Sequence, residues 1–248
     1  MEAMILAAGD GTRLRPLTDR IPKALIEVHG RPLLAHVMDR LVAAGVTRIV
    51  VNAARHADQV AAWLAAHTPA GVSVALNREA DGPYETGAGL MAATPLFRRE
   101  GPFFLHNVDV LSRIPLEGLL AAHRLACASG ENPVATLAVQ DRETRRQLLF
   151  DGSGLAGWEE WGSDGLVRDA KHARALEGPP QRWSFSGVQV VEPAIFDLPH
   201  PSGHFSMVAW YLELARHGHR IGAVDVSGHP WLDVGTPARL AEAEAGDW

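Results

Sequence analysis

The sequence predicts an α/β protein with a Rossmann-like, doubly wound sheet that is mixed but mostly parallel. Three observations lead to this prediction. Short apolar runs typical of buried strands alternate with segments whose apolar residues recur at helical spacing. Polar, glycine-containing loops follow several of these runs, at the sheet edge where open α/β folds bind ligands. The chain has 248 residues and is 47% hydrophobic, which is enough apolar material for a sizeable core.

The first half of the chain carries the regular alternation. Strands are predicted at residues 3–8, 48–52, 72–76, 103–105 and 133–139, and helices at residues 32–44, 57–67, 86–96 and 115–129. The first of these helices stops at Gly45, and glycine is favoured just past a helix end. Because strands that alternate with helices usually pair in parallel, this half predicts the parallel part of the sheet.

The second half is less regular. Strands are predicted at residues 147–150, 155–161, 185–191, 221–226 and 231–234, and helices at residues 206–217 and 236–245. The turn at residues 151–154 is of the hairpin type. Residues 162–182 are polar and are predicted to form a loop or flap. Thr236 and Pro237 suit the N-cap and the first position of the last helix. No repeat or linker divides the chain, so one domain over residues 1–248 is predicted.

Composition excludes several classes of function. The net charge is −6 and no basic stripe is present, so binding to nucleic acid is not expected. No apolar run reaches the roughly 18 residues of a membrane span, so the cytoplasm is the expected location. A single cysteine, Cys127, excludes a disulfide within the chain and suits a small buried hydrophobe in a helix. The densest groups among the twelve histidines, at residues 200–204 and 217–219, lack the H-E-x-x-H spacing of a zinc motif and are interpreted as solvated loop residues.

The first loop of the chain indicates a phosphate-binding site. Residues 6–18 read L-A-A-G-D-G-T-R-L-R-P-L-T, and residues 22–25 read P-K-A-L. Two glycines directly after an apolar strand let backbone N–H groups turn toward an anion, and the cations that follow supply charge for a polyphosphate. The P-loop pattern is absent, and Leu14 stands where the dinucleotide fingerprint needs its third glycine.

Two carboxylates are candidates for a metal site. Asp109 follows the strand predicted at residues 103–105, and Asp233 lies in the short strand near the C-terminus. If both lie at the same sheet edge they can bind one Mg²⁺, which prefers oxygen ligands and bridges carboxylates to substrate phosphates.

Together these segments resemble the nucleotidyltransferase family that joins a nucleoside triphosphate to a sugar 1-phosphate and releases pyrophosphate. The family pattern L-A-A-G-x-G-T-R-L-x-P-L-T, followed by P-K-x-L, is matched at every specified position. Its Asn-Gly-Asp motif corresponds to residues 107–109, and its Asp-Val-Gly-Thr motif to residues 233–236. Val108 departs from the family, which usually has glycine there; valine resists a left-handed backbone and close approach.

The resemblance implies roles for individual residues. The implied catalytic residues are Arg13, Lys23 and Asp109, and the implied Mg²⁺ ligands are Asp109 and Asp233. The implied nucleotide-binding residues are Ala7, Ala8, Gly9, Gly11, Thr12, Arg13, Lys23, Asn77, Glu79, Thr86 and Asn107. The implied sugar-phosphate-binding residues are Glu85, Gln147, Glu159 and Gly187. On this interpretation residues 1–110 mainly bind the nucleotide, and residues 111–248 mainly bind the sugar phosphate and close the fold.

The substrate pair is less well specified by the sequence. UTP with N-acetylmuramate 1-phosphate is the expected pair, because the Glu-Thr-Gly-x-Gly and Phe-Ser-Gly segments resemble the uridylyltransferases of cell-wall recycling. GTP with mannose or heptose 1-phosphate is the alternative. A second alternative is a regulatory subunit that senses nucleotide sugars with a degenerate site, to which only Val108 points. The sequence predicts no oligomeric state.

Overall fold

The computed structural model describes residues 1–80, 82 and 84–248, and these residues form fourteen strands and six α-helices. The strands are β1 (Glu2–Leu6), β2 (Glu27–Val28), β3 (Arg31–Pro32), β4 (Arg48–Ala53), β5 (Ser73–Arg78), β6 (Phe103–Asn107), β7 (Val110–Ser112), β8 (Ala135–Gln140), β9 (Arg146–Asp151), β10 (Gly154–Trp161), β11 (Val167–His172), β12 (Gln181–Val191), β13 (Ile221–Asp225) and β14 (Trp231–Asp233). The helices are α1 (Leu33–Ala43), α2 (Ala57–His67), α3 (Thr86–Ala92), α4 (Leu116–Ala128), α5 (Met207–Arg216) and α6 (Pro237–Ala245).

Ten of the strands form one mixed sheet that runs through both halves of the chain. Its main order is β11-β10-β9-β12-β6-β1-β4-β5, and β8 joins β12 to β13. The pairs β6-β1, β1-β4, β4-β5 and β8-β13 are parallel. Strand β12 is antiparallel to β6, β8 and β9, and β9, β10 and β11 pair antiparallel in sequence. The predicted α/β class with a mixed, Rossmann-like sheet is therefore confirmed. The sheet is less parallel than predicted, because β9 to β12 pair antiparallel.

Strand β1 shows why helices cover both faces of the sheet. All five of its residues are buried, as expected for a strand between two parallel neighbours. Met4 packs in a cluster with Trp210 of α5, whereas Ile5 packs in a second cluster with Leu41 of α1. Successive side chains of a strand point to opposite faces, so one strand anchors both layers.

The prediction of a loop or flap at residues 162–182 is wrong in part. Strand β11 lies inside this segment, and β12 begins at Gln181. All six residues of β11 are exposed, and among the described strands it pairs with β10 alone. A strand without a buried face has no apolar alternation, so its sequence looks like that of a loop.

A two-stranded sheet outside the main one brings together two segments of the site that are far apart in the sequence. Strand β7 pairs antiparallel with β14, which places Asp233 opposite Val110. The backbone N–H of Val234 also donates to the carbonyl of Asp109 at 2.8 Å. Residues 110–112 had no predicted strand, because three residues are too few for a periodic pattern.

None of the helices within the described residues is long and apolar enough to cross a membrane.

Candidate active site

A polar cavity of about 360 Å³ lies at the carboxyl ends of β1 and β6. It is lined by Leu6, Ala8, Gly9, Asp10, Gly11, Thr12, Arg13, Lys23, Asn52, Tyr84, Glu85, Thr86, Asn107, Val108, Asp109 and Gly235. Residues from the N-terminal loop, from α3 and from one end of the β7-β14 sheet, where β7 begins and β14 ends, therefore meet here. This is the edge at which open α/β sheets bind ligands.

The loop after β1 has a fixed shape, and Gly11 is central to it. Its φ of 60° is left-handed, and a Cβ at this position would lie 2.8 Å from the Cγ2 of Thr18. The Thr18 hydroxyl donates to the Gly11 carbonyl at 2.9 Å. Thr12, Arg13 and Leu14 follow in a single 3₁₀ turn. Glycine is required at position 11 by both conformation and space, and the loop is held in place before any ligand arrives.

Lys23 and Asp109 form an ion pair in the wall of the polar cavity. The Lys23 ammonium donates to the Oδ2 of Asp109. The Lys23 side chain is 8% exposed and that of Asp109 is 23% exposed. A lysine in a Pro-bounded loop is usually solvated, but this one is buried and directed at the cavity. The pair places a positive and a negative charge side by side at the end of β6.

Asp233 is the third charged group at this edge. Burial raises its pKa, and the negative charge of Asp109 raises it further. Positive charge on Lys23, Arg13 and Arg142 acts in the opposite direction. The Oδ1 of Asp233 is buried, with no hydrogen-bond partner among the described residues. Two neighbouring carboxylates with an unsatisfied oxygen form a donor set that suits a hard divalent cation.

Gly235 lets Arg13 approach Asp233. A Cβ on Gly235 would lie 2.6 Å from an Arg13 guanidinium nitrogen and 2.7 Å from the Oδ1 of Asp233. Both side chains therefore occupy the space beside this glycine. The Asp-Val-Gly-Thr segment thus supplies a carboxylate and, two residues later, the gap for the arginine.

A buried hydrogen-bond network supports the phosphate loop from behind. The Ala7 N–H donates to the Oδ1 of Asn52 at 2.6 Å, and the Nδ2 of Asn52 donates to the Oε1 of Glu79 at 2.7 Å. The N–H of Tyr84 donates to the other Glu79 oxygen at 2.6 Å. Burial raises the pKa of Glu79, while the bonds from Tyr84 and Asn52 lower it. Glu79 thereby links the loop after β1 to the start of α3.

The two glycines of α3 accommodate protein rather than a ligand. A Cβ on Gly87 would lie 2.6 Å from the ring of Phe205, and one on Gly89 would lie 2.7 Å from Glu79 and 2.9 Å from Asn52. The space beside Gly87 is therefore filled by Phe205, and the space beside Gly89 by the Asn52–Glu79 hydrogen bond.

Val108 fits without a left-handed backbone. It is not among the non-glycine residues with positive φ, and its side chain is 4% exposed and packs in the core cluster of β1 and α1. Its N–H donates to the Leu6 carbonyl at 3.1 Å. The conformation that glycine would permit is not used in this chain, so the departure from the family pattern introduces no strain of that kind.

Gly187 lies next to the polar cavity, inside an irregularity of β12. The register of β12 with β8 shifts between Phe185 and Gln189. Gly187 has a φ of 72°, and a Cβ there would lie 2.9 Å from the Nδ2 of Asn107. The bulge therefore brings β12 against a residue that lines the cavity.

The structure brings most of the predicted residues to one place. Those that line the polar cavity are Ala8, Gly9, Gly11, Thr12, Arg13, Lys23, Glu85, Thr86, Asn107 and Asp109. Those outside its lining are Ala7, Asn77, Glu79, Gln147, Glu159, Gly187 and Asp233. Ala7 and Glu79 belong to the network behind the loop. Glu159 accepts from the Nε of Arg182 at 3.1 Å.

Sequence reasoning missed Asn52 and Tyr84 at the cavity wall. Asn52 interrupts an apolar strand at its carboxyl end, and that position is the signal that could have found it. Tyr84 lies in the loop before α3, and the sequence offered no such signal for it.

A second cavity, of about 380 Å³, lies on the antiparallel half of the fold. This aromatic cavity is lined by Arg142, Thr144, Arg146, Leu148, Trp158, Lys171, Phe185, Ser206, Val208, Ala209 and Leu212. The Arg142 guanidinium lies 3.7 Å from the centroid of the Trp231 ring, and the Lys171 ammonium lies 5.6 Å from that of Trp158. Among the described lining residues three are cationic and none is acidic.

The two cavities are neighbours. Thr86 lines the polar cavity, and its Oγ1 accepts from the N–H of Met207 at 2.9 Å. The residues on either side of Met207 line the aromatic cavity. Arg142 of the aromatic cavity is also close enough to Asp233 to lower its pKa.

Comparison with family models and with characterised proteins agrees with this geometry. The model described as nucleotidyl transferase matches residues 2–146. The N-acetylmuramate alpha-1-phosphate uridylyltransferase of Caulobacter vibrioides is 37% identical, over 97% of this chain and 97% of that protein. The enzyme of the same name from Neisseria meningitidis serogroup B is 35% identical over the whole of both. The catalytic subunit beta of mannose-1-phosphate guanylyltransferase from Drosophila melanogaster is 26% identical over 95% of this chain but 59% of its own length.

Solved structures with low sequence identity share the fold. The inositol-1-phosphate CTP transferase of T. maritima superposes with a TM-score of 0.71 at 18% identity, covering 100% of this chain and 97% of that one. A UDP-glucose pyrophosphorylase complexed with UDP-glucose gives a TM-score of 0.73 at 16% identity, covering 98% and 97%.

Proposed function

The chain belongs to the nucleotidyl transferase family and is a sugar-1-phosphate nucleotidyltransferase, and on this premise we propose that it transfers the uridylyl group of UTP to N-acetylmuramate 1-phosphate. The reaction depends on Mg²⁺ and releases pyrophosphate. It takes place in the cytoplasm, where nucleoside triphosphates are made.

The triphosphate lies against the loop after β1. The backbone N–H groups around Gly9 and Gly11 face the phosphates, and the Arg13 guanidinium binds the β and γ phosphate oxygens in a bidentate fashion. The ordered loop supports this role, because a cradle held by Thr18 and Lys23 needs no rearrangement to accept an anion. Asn77, whose amide nitrogen is buried with no partner among the described residues, is the candidate donor to the base.

In the chemical step a phosphate oxygen of the sugar phosphate attacks the α-phosphorus of UTP in line. The bond to the β-phosphate oxygen breaks, and pyrophosphate leaves. No protein nucleophile or base is needed, because the attacking oxygen is already anionic. Lys23 neutralises charge on the α-phosphate as the transition state forms, and Arg13 holds the leaving group. The remaining requirement is alignment, which the rigid sheet edge supplies.

Asp109 and Asp233 hold the Mg²⁺ in this proposal. The fit rests on the unpartnered Oδ1 of Asp233 and on the proximity of the two carboxylates, which raises the pKa of Asp233. When bound, the ion supplies Lewis-acid charge at the phosphates. Lys23, already paired with Asp109, keeps that carboxylate oriented toward the cavity.

The aromatic cavity determines which sugar phosphate binds. N-acetylmuramate bears a lactyl carboxylate that N-acetylglucosamine and mannose lack. Arg142, Arg146 and Lys171 line this cavity with no acidic residue among the described lining, and Trp158 provides an apolar surface for a sugar ring. An anionic sugar matches this charge. Arg146 already pairs with Glu160 at 3.5 Å, so Arg142 and Lys171 are the cations left for the carboxylate. Two relatives that match this chain over 97% and 100% of their length carry this substrate in their names.

The test is a coupled pyrophosphate-release assay with five nucleoside triphosphates and matched sugar phosphates. N-acetylmuramate 1-phosphate and N-acetylglucosamine 1-phosphate differ only in the lactyl group, so their ratio of kcat/KM isolates the carboxylate. We expect UTP and the muramate to give the highest value. Faster turnover with GTP and mannose 1-phosphate would replace the proposed pair. No turnover with any pair, by folded protein, would overturn the reaction itself.

A further inference from the structure

A cluster of three metal-ligating side chains lies away from the polar cavity. His123 and Cys127 are one helical turn apart on α4, so they project from the same face. Glu192 directly follows β12. Val191 pairs with Phe103 at the start of β6, whereas the polar cavity lies beyond Asn107 at its end. The cluster is therefore separated from the site by the length of β6, about 13 Å at the usual rise per residue.

The three ligand atoms converge on one point. The Nε2 of His123 lies 2.9 Å from the Oε1 of Glu192, and the Sγ of Cys127 lies 3.8 Å from each of them. With the usual Zn–N, Zn–S and Zn–O lengths, tetrahedral ligands lie about 3.3 to 3.6 Å apart. Movements of a few tenths of an ångström would therefore give three ligands of a zinc site. No other group of three or more such residues with this convergence occurs within the described part of the chain.

His123 is also supported in the way that metal-bound histidines usually are. Its side chain is fully buried, and its Nδ1 lies 2.8 Å from the Oγ1 of Thr136 on β8. A hydroxyl can accept or donate, so Thr136 satisfies either tautomer of the ring. This hydrogen bond at Nδ1 fixes the orientation of the His123 ring and leaves Nε2 for the ion.

We propose that His123, Cys127 and Glu192 bind a Zn²⁺ ion that ties α4 to the end of β12. A nitrogen, a sulfur and a carboxylate oxygen favour zinc over Mg²⁺, which avoids thiolate. The ion binds Nε2, Sγ and Oε1. The imidazole keeps one proton, on Nδ1 and directed at Thr136, and the thiol proton passes to water. Cys127 and Glu192 are partly exposed, so water occupies the fourth position.

The site serves stability rather than turnover. It links a helix on one face of the sheet to the strand that passes both cavities. None of its three ligands lines either cavity. Zinc is therefore expected to raise the thermal midpoint of the protein and to leave the sugar-phosphate reaction unchanged.

Full-length protein, stripped with EDTA and dialysed, tests the proposal with zinc and cobalt as probes. Competition with a chromophoric chelator should give one equivalent of zinc for the wild type, and zinc should raise the thermal midpoint by several degrees while Mg²⁺ does not. Cobalt should produce the near-ultraviolet band of thiolate-to-metal charge transfer. Cys127→Ser should abolish that band and the zinc-induced shift, and Glu192→Gln should weaken both.

The matched control removes the two histidines that follow α5 instead. A His217→Gln/His219→Gln double variant should keep the cobalt band and the zinc-induced shift, because these residues lie after α5 and outside the cluster. The same zinc stoichiometry and midpoint shift in the wild type and in Cys127→Ser would overturn the proposal. So would a cobalt spectrum of the wild type without a thiolate band, which would assign the metal to surface histidines.

Discussion

The polar cavity and the aromatic cavity differ in what holds their walls. In the polar cavity the loop after β1 is fixed by Thr18 and by the Asn52–Glu79 hydrogen bond. The Lys23 ammonium group is buried against Asp109. In the aromatic cavity the cations stand on the antiparallel extension of the sheet, and the Arg146 side chain is 71% exposed. We infer that the chemistry depends on rigid buried groups, while substrate choice depends on side chains that can be exchanged at little structural cost.

The largest expected effect is at the centre of the polar cavity. Lys23→Ala removes the ammonium that opposes negative charge in the transition state, and kcat should fall by about 100- to 1,000-fold, as with other preorganised electrostatic groups. Steady-state pyrophosphate release measures it. Arg15→Ala is the matched control: it removes a cation of the same loop, one that pairs with Asp19 at an exposed position. Equal losses in the two variants would mean that the loop needs charge in general and not Lys23.

The next largest effect in the polar cavity is expected on the Mg²⁺ requirement of the reaction. Asp233→Asn keeps the size of the side chain but removes one carboxylate of the proposed Mg²⁺ pair. The Mg²⁺ concentration for half-maximal rate should rise at least about tenfold, a typical loss for a weakened metal site. An unchanged Mg²⁺ requirement would place the ion elsewhere.

Asp233→Asn should also change the stability of the metal-free protein. Burial and Asp109 raise the pKa of Asp233, so the folded chain holds that proton more tightly than the unfolded chain. The stability that this group contributes to the wild type is therefore fully present below the ordinary pKa of aspartate and declines as pH rises through the raised value. Asp233→Asn resembles the protonated acid and lacks this decline. In urea unfolding with EDTA, the variant should be the more stable protein at neutral pH, and the difference should vanish in acid.

A single added methyl group should disrupt the hydrogen-bond network behind the loop after β1. Gly89→Ala drives a Cβ into the Asn52–Glu79 bond and should lower the free energy of unfolding by about 1–3 kcal/mol. The KM for the triphosphate should rise with it, because Asn52 positions the loop. Gly118→Ala is the control: its Cβ would be in ordinary contact with Pro115, at 3.6 Å, in the first turn of α4. That change should stabilise the protein by about 0.4–1 kcal/mol, because alanine has less conformational freedom than glycine in the unfolded chain. Similar effects at both glycines would remove the special role of the network.

The smallest effect is expected in the aromatic cavity. Lys171→Ala should lower the preference for the muramate over the glucosamine phosphate by about two- to fivefold, the range expected for one exposed charge. Lys171→Arg keeps the charge and should keep the preference. Measurement of kcat/KM for both sugar phosphates separates the two variants. A loss of turnover that is equal for both sugars would show that the cavity does not choose between them.

The sequence predicts the polar cavity better than the aromatic one, for a physical reason. Arg13, Lys23 and Asp109 occur in short motifs at strand ends, so their meeting point follows from the topology of an α/β sheet. The internal role of Glu79 depends on the register of β1, β4 and β5, which no local pattern specifies. Strand β11 is exposed on both faces, so it has no apolar signal. Lys171 lies on that strand, and the second cavity was therefore missed together with it.

We infer that buried charged side chains at the sheet edge catalyse the transfer of a nucleotide to a sugar phosphate. A time course of pyrophosphate release with UTP, N-acetylmuramate 1-phosphate and Mg²⁺ tests it most directly, with UDP-sugar measured in the same samples. We predict one pyrophosphate for each UDP-sugar, with loss of both in Lys23→Ala and after addition of EDTA. Folded wild-type protein that forms no UDP-sugar, or a Lys23→Ala variant that forms it at the wild-type rate, would contradict the account.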